Sequence, residues 1–122
     1  MSQRGQQHIS ITFMSGPLDG KTVAWDYPTR DSEIVLTIGR RDGCDIALDY
    51  DSQVSRLHAR LAYVPDESSF TLEDAGSRNG TFIGSDRLTS RMALTPGVLF
   101  RVGRTWLRLD RPHDEDGDEG EE

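Results

Sequence analysis

A chain of 122 residues, 34% hydrophobic and 29% charged, is the size of one domain and can bury one modest core, not two. No run approaches the roughly 20 apolar residues that cross a bilayer. The N-terminus leads into an alternating segment rather than an apolar secretory stretch. Cys44 is the only cysteine, which excludes an internal disulfide and a cysteine-clustered metal site. The net charge of −7 is concentrated, because residues 110–122 hold eight acids against Arg111 and residues 1–109 hold 13 acids and 13 bases. These features predict a reduced, soluble, cytoplasmic domain that needs no cofactor or metal. A neutral domain with an acidic tail also speaks against nucleic acid as a partner, since that function usually brings a basic face.

Along the chain, residues 1–7 are polar and are expected to form a disordered arm. Residues 8–13, 21–25, 34–38, 58–64, 69–73, 98–102 and 104–109 then alternate apolar and polar side chains with a period of two. Gly16-Pro17, Asp19-Gly20, Asp42-Gly43, Asn79-Gly80 and Pro96-Gly97 punctuate them. Asn79-Gly80 is a strong two-residue turn signal, because both residues tolerate the positive φ of a type I′ turn. Short strands about ten residues apart, with no window of helical periodicity, predict an all-β sandwich or barrel. From Arg111 onward there is no Leu, Ile, Val or aromatic residue, so residues 110–122 are expected to be a disordered acidic tail. The folded unit is then residues 8–109.

Three segments gather polar groups that a sandwich core does not need: Ile38-Gly39-Arg40-Arg41, Val54-Ser55-Arg56-Leu57-His58 and Asp74-Ala75-Gly76-Ser77-Arg78-Asn79-Gly80-Thr81. Each lies where a strand gives way to a loop, the usual place for a binding surface on a rigid frame. If the three converge, Arg40, Arg56 and Arg78 stand beside the Ser55 hydroxyl and the Asn79 amide. Such a set is rich in donors and poor in acids, which suits a dianion with several oxygens. Other readings compete. Arg40 has Asp42 and Asp45 nearby as ion-pair partners. Ser55 and His58, with Asp49, Asp51 or Asp74, have the makings of a catalytic triad, but no Gly-x-Ser-x-Gly elbow accompanies them. Residues 49–60 open like a calcium loop and fail at Val54 and Arg60, where Gly and Glu are required. Trp25 and Trp106 alternate with polar neighbours and fit sheet packing better than base stacking.

At these residues the chain resembles the forkhead-associated (FHA) domain family, whose pattern is Gly-Arg, then Ser-Arg-x-His, then Ser-x-Asn-Gly-Thr. Here these stand as Gly39-Arg40, Ser55-Arg56-Leu57-His58 and Ser77-Arg78-Asn79-Gly80-Thr81. The resemblance implies a sandwich of two sheets with about eleven strands, binding a phosphothreonine-containing protein made by an upstream Ser/Thr kinase, without catalysis. It implies that Arg40 is the main phosphate ligand, that Ser55 donates its hydroxyl, and that Arg56 helps through its amide or side chain. Arg78 would border the pocket and Asn79 would bond the partner's backbone. His58 would brace the loops, with Gly39, Ser77, Gly80 and Thr81 supporting them. Two departures stand out: Phe82-Ile83-Gly84-Ser85 lacks the family's following Asn-Gly, and Gly97-Val98 replaces a Gly-Asp. A phosphate-independent scaffold using a sheet face or edge strand is the alternative function. The acidic tail is either a solubilising segment or a weak competitor for the arginine cluster.

Overall fold

The computed structural model describes residues 7–27, 33–64 and 69–110. Two sheets face each other. The six-stranded sheet runs in the order β2-β1-β11-β10-β7-β8, and the five-stranded sheet in the order β4-β3-β5-β6-β9. Here β1 is Gln7–Phe13, β2 Thr22–Tyr27, β3 Ile34–Gly39, β4 Ile46–Ala47, β5 Ala59–Val64 and β6 Ser69–Asp74. The remaining strands are β7 Thr81–Ile83, β8 Asp86–Arg87, β9 Met92–Ala93, β10 Leu99–Val102 and β11 Thr105–Leu109. Pairing is antiparallel throughout except for β3 and β4.

Alternation dictates this arrangement. Ile9, Ile11 and Phe13 of β1, Leu36 and Ile38 of β3, Leu61 and Tyr63 of β5, Phe70 and Leu72 of β6, and Leu107 and Leu109 of β11 all point between the sheets and are buried. Each such side chain contributes about 1.5–3 kcal/mol by leaving water. A one-residue slip would turn the whole set to solvent, so the register is fixed. That register also builds the site. Ile38 pairs with Ala59 and Ala59 with Asp74, which brings Gly39, His58 and Asp74 to one end of the five-stranded sheet. Val102 pairs with both Thr81 and Thr105, and this places the start of β7 and the β10–β11 turn at the matching end of the other sheet.

All seven strands expected from alternation are present, within two residues at each boundary. The other four strands, β4, β7, β8 and β9, have only two or three residues, too few to display a period. Asn79-Gly80 is not the two-residue hairpin that its composition suggests. It lies in a loop that crosses from β6 in one sheet to β7 in the other, with Gly80 at φ 90°. The two-residue hairpin comes later. Ile83 pairs with Asp86 across Gly84 and Ser85, and Gly84 at φ 59° supplies the positive φ that either tight hairpin turn needs at its first central position. The missing asparagine therefore leaves that turn intact. At the edges, Gln7 belongs to β1 and the Asp110 amide donates to the Ser10 carbonyl, so the ordered strands and their pairing extend one residue beyond 8–109 at each end. Of the arms expected at residues 1–7 and 110–122, residues 1–6 and 111–122 lie outside the described residues.

Candidate functional site

Three loops meet at the end of the sandwich where Gly39, His58 and Asp74 align. The first meeting is between the chain after β3 and the chain before β5. The Arg40 amide donates to the Ser55 carbonyl at 3.0 Å and the Arg41 amide to the Arg56 carbonyl at 3.3 Å. Gly39 makes this approach possible, because a Cβ built there would stand 2.1 Å from the Arg56 carbonyl oxygen. The second meeting joins the β6–β7 loop to the same segment. The Arg78 amide donates to Ser55 Oγ at 3.0 Å and Asn79 Nδ2 to the Gln53 carbonyl at 2.8 Å.

His58, fully buried, clamps both. Its Nδ1 accepts the Ser55 amide at 3.0 Å, so the ring proton sits on Nε2, which donates to the Gly80 carbonyl at 2.9 Å. With both ring nitrogens committed to backbone, neither is available to the Ser55 hydroxyl, and the nucleophile–base pairing of a triad is absent from this geometry. Asp74 organises the β6–β7 loop. It accepts the Gly76 and Ser77 amides and the Ser77 and Thr81 hydroxyls, while Ser77 Oγ in turn accepts the Gly80 amide. Burial pushes the Asp74 carboxyl up, but those hydroxyl and amide donors outweigh it and hold the group below the usual carboxylate range.

The arginines are the decisive feature. Arg40 donates Nε to the Val54 carbonyl at 3.0 Å, which orients the guanidinium and leaves its two terminal nitrogens for an anion. Asp45, a competitor for Arg40 on sequence grounds, instead accepts the Thr37 amide and hydroxyl. Arg40, Arg41, Arg56 and Arg78 are all exposed, and none has an ion-pair partner among the described residues. Ser55 Oγ accepts from Arg78, so its own proton is free to be donated outward. Cations without ion-pair partners, an oriented hydroxyl and a fixed side-chain amide, on segments joined at Ser55, are groups that can bind an anion, with the Asn79 oxygen left over for a backbone N–H.

Comparison with known proteins gives the family of this fold. The family model for the FHA domain matches residues 36–103, from β3 through the β10–β11 turn. The chain belongs to the FHA family. It is 31% identical to the FHA domain-containing protein FhaB of Mycolicibacterium smegmatis over 111 residues, which is 89% of this chain and 66% of that protein. It is similar to the FHA domain of an Arabidopsis thaliana protein solved in solution, at TM-score 0.70 and 27% identity, covering 90% of each chain. It shares the fold of a second solved domain, from a study of phosphothreonine-dependent FHA interactions, at TM-score 0.69 and 23% identity, covering 85% of this chain and 96% of that one.

One residue of this FHA domain matters more to the rim than its sequence context suggests. Asp51, buried, accepts the Gln53 amide, the Arg104 amide and the Thr105 hydroxyl, and so bolts the Ser55 segment to the β10–β11 turn of the opposite sheet. Burial raises the Asp51 carboxyl, the donors from Thr105, Gln53 and Arg104 lower it, and the net direction is down. In the sequence Asp51 figures only as a member of a triad or calcium loop. Two of its three partners lie 53 and 54 residues away, and no local pattern announces them. Trp106 belongs to a different surface. It lies on the outer face of the six-stranded sheet with Arg101 over its ring. Cys44 is a half-buried free thiol whose Sγ lies 3.4 Å from the Arg56 carbonyl.

Proposed function

We propose that this FHA domain is a phosphothreonine-dependent binding module of the cytoplasm, recruiting a protein phosphorylated by a Ser/Thr kinase. The carrying observation is the rim itself: three exposed arginines without an ion-pair partner among the described residues, Arg40, Arg56 and Arg78, on segments that meet at Ser55, whose hydroxyl is free to donate. In this reading the terminal nitrogens of Arg40 take two phosphate oxygens and Ser55 donates to the third. Arg56 contributes its amide, which has no partner among the described residues, or its guanidinium, and Arg78 borders the pocket. Asn79, its Nδ2 tied to Gln53, presents Oδ1 to the partner's backbone and holds an extended segment in register. His58, Ser77, Gly39, Gly80 and Thr81 keep the loops together.

Hydrogen bonds to charged groups contribute about 1.5–3 kcal/mol each. Three or four of them, less ordering costs, reach the roughly −8 kcal/mol of a micromolar complex. The phosphothreonine-dependent interactions of the structurally similar domain support the same chemistry. Titration calorimetry with a phosphothreonine peptide library tests the reading. Binding is expected to vanish for unphosphorylated peptides and to fall about 100-fold for Arg40→Ala, the equivalent of roughly 3 kcal/mol. Equal binding of both peptide forms, unaffected by Arg40→Ala, would instead identify a scaffold that works through a sheet face.

A further inference from the structure

The outer face of the six-stranded sheet carries a row of side chains that neither the core nor the phosphate rim uses. Register aligns Arg87 of β8 with Phe82 of β7, Phe82 with Arg101 of β10, and Arg101 with Trp106 of β11. The Arg101 guanidinium lies 4.2 Å from the Phe82 ring centroid and 5.7 Å from that of Trp106, with Nη1 donating to the Gly103 carbonyl at 2.8 Å. The Arg87 guanidinium lies 6.0 Å from the other side of Phe82 and packs against Gly80, beside Asn79 at the rim. Neither guanidinium has an ion-pair partner among the described residues. Stacking and hydrogen bonding have already fixed the orientation of Arg101, so it can receive a carboxylate with little further ordering.

The chain supplies its own carboxylates to this face. Asp110, directly after β11, accepts the Ser10 and Thr12 hydroxyls of β1 and the Arg108 Nε, all on the outer side of the same sheet. The last described residue is therefore tied to that face. Residues 111–122 contain seven acids, from Asp114 to Glu122, and one base, Arg111. Fully extended, they reach roughly 40 Å. The path from Asp110 back along β11 to Trp106 is roughly 13 Å, and the row across to β8 is roughly 15 Å more. Individual exposed ion pairs are weak, but a tether of this length raises the local carboxylate concentration to roughly the millimolar range.

We infer that the acidic segment 114–122 docks on the Arg101–Phe82–Arg87 row, placing its carboxylates beside the rim while Arg40, Arg56 and Arg78 stay free for phosphate. The test uses the full chain and a second full-length chain in which the seven acids are replaced by Asn and Gln. The readout is the Trp106 indole N–H and the Arg101 Nε–H by NMR. At about 0.01 M salt, where the Debye length is roughly 30 Å, the two chains are expected to differ at Trp106 and Arg101. At about 1 M salt, where it is roughly 3 Å, the difference is expected to disappear. Arg101→Gln, which lies outside the phosphate set, is expected to abolish the Trp106 difference, and Arg40→Ala to preserve it. Differences concentrated at Arg40, Ser55 and Asn79 would mean that the tail sits in the phosphate site and would overturn the inference. No difference anywhere would overturn it as well. Phosphopeptide binding by either chain is a separate measurement, so failure of this inference leaves the proposed function untouched.

Discussion

Leu61 and His58 stand three residues apart at the start of β5, and both are excluded from solvent, at 1% and 0% exposure. Leu61 is held by its surroundings in bulk, through apolar contacts from both sheets. His58 is held by two particular atoms, the Ser55 amide and the Gly80 carbonyl. The sandwich interior therefore tolerates exchange among side chains of similar volume, whereas the rim fails when one donor or one acceptor is lost. Stability is concentrated in the interior, and the proposed function puts recognition at the rim, so substitutions in the two regions should separate the two properties.

The largest effect should be purely on stability. Leu61→Ala leaves a cavity between the sheets and is expected to cost about 3 kcal/mol, lowering the Tm by more than about 10 °C. Its phosphopeptide Kd, measured while the variant is folded, should stay within about twofold of the parent. Gly39→Ala stands where the two regions meet. The added methyl pushes against the Arg56 carbonyl, and relieving that clash moves the Arg40 and Ser55 segments apart. An overpacking cost of about 2 kcal/mol in chemical denaturation, with an affinity loss above about tenfold, is expected.

Asp74→Asn should weaken both properties by a smaller amount. It removes the charge that collects four donors, at a cost of about 1 kcal/mol once solvent exposure is allowed for. The same charge sets a pH dependence. Asp51 and Asp74 both titrate below the ordinary carboxylate value, so the unfolded chain binds their protons first as pH falls. Their contribution is complete above about pH 5 and is lost progressively below about pH 4. Thermal melts from pH 7 down to 3 should show that decline, and it should be shallower in Asp74→Asn. The smallest effect should be purely on recognition. Ser55→Ala removes the free hydroxyl proton and is expected to weaken phosphopeptide binding about tenfold, with a Tm change under about 2 °C.

The same division explains what could be read from the residues alone. The interior depends on side-chain period, and period is visible in any strand of four or more residues, so β1, β2, β3, β5, β6, β10 and β11 were legible. The two-residue strands β4, β8 and β9 owe their pairing to neighbours already in place. At the site, residue types and order announced Arg40, Ser55, His58 and Asn79. Asp51 did not show itself, because its role depends on a contact with Arg104 and Thr105 that only the packed sheets create. Asn79-Gly80 misled for a related reason. The pair favours a hairpin locally, but Asn79 is tied to Gln53 and Gly80 to His58, and those tertiary bonds decide its conformation.

The most direct measurement is an NMR titration of the full chain with one peptide in phosphothreonine and unmodified threonine forms, following the Arg40 Nε–H and the Ser55, Arg56, Arg78 and Asn79 amides. Saturable shifts at these groups are expected with the phosphorylated peptide alone. Shifts confined to the sheet faces, or identical with both peptides, would contradict an anion-binding rim as the working surface of this domain.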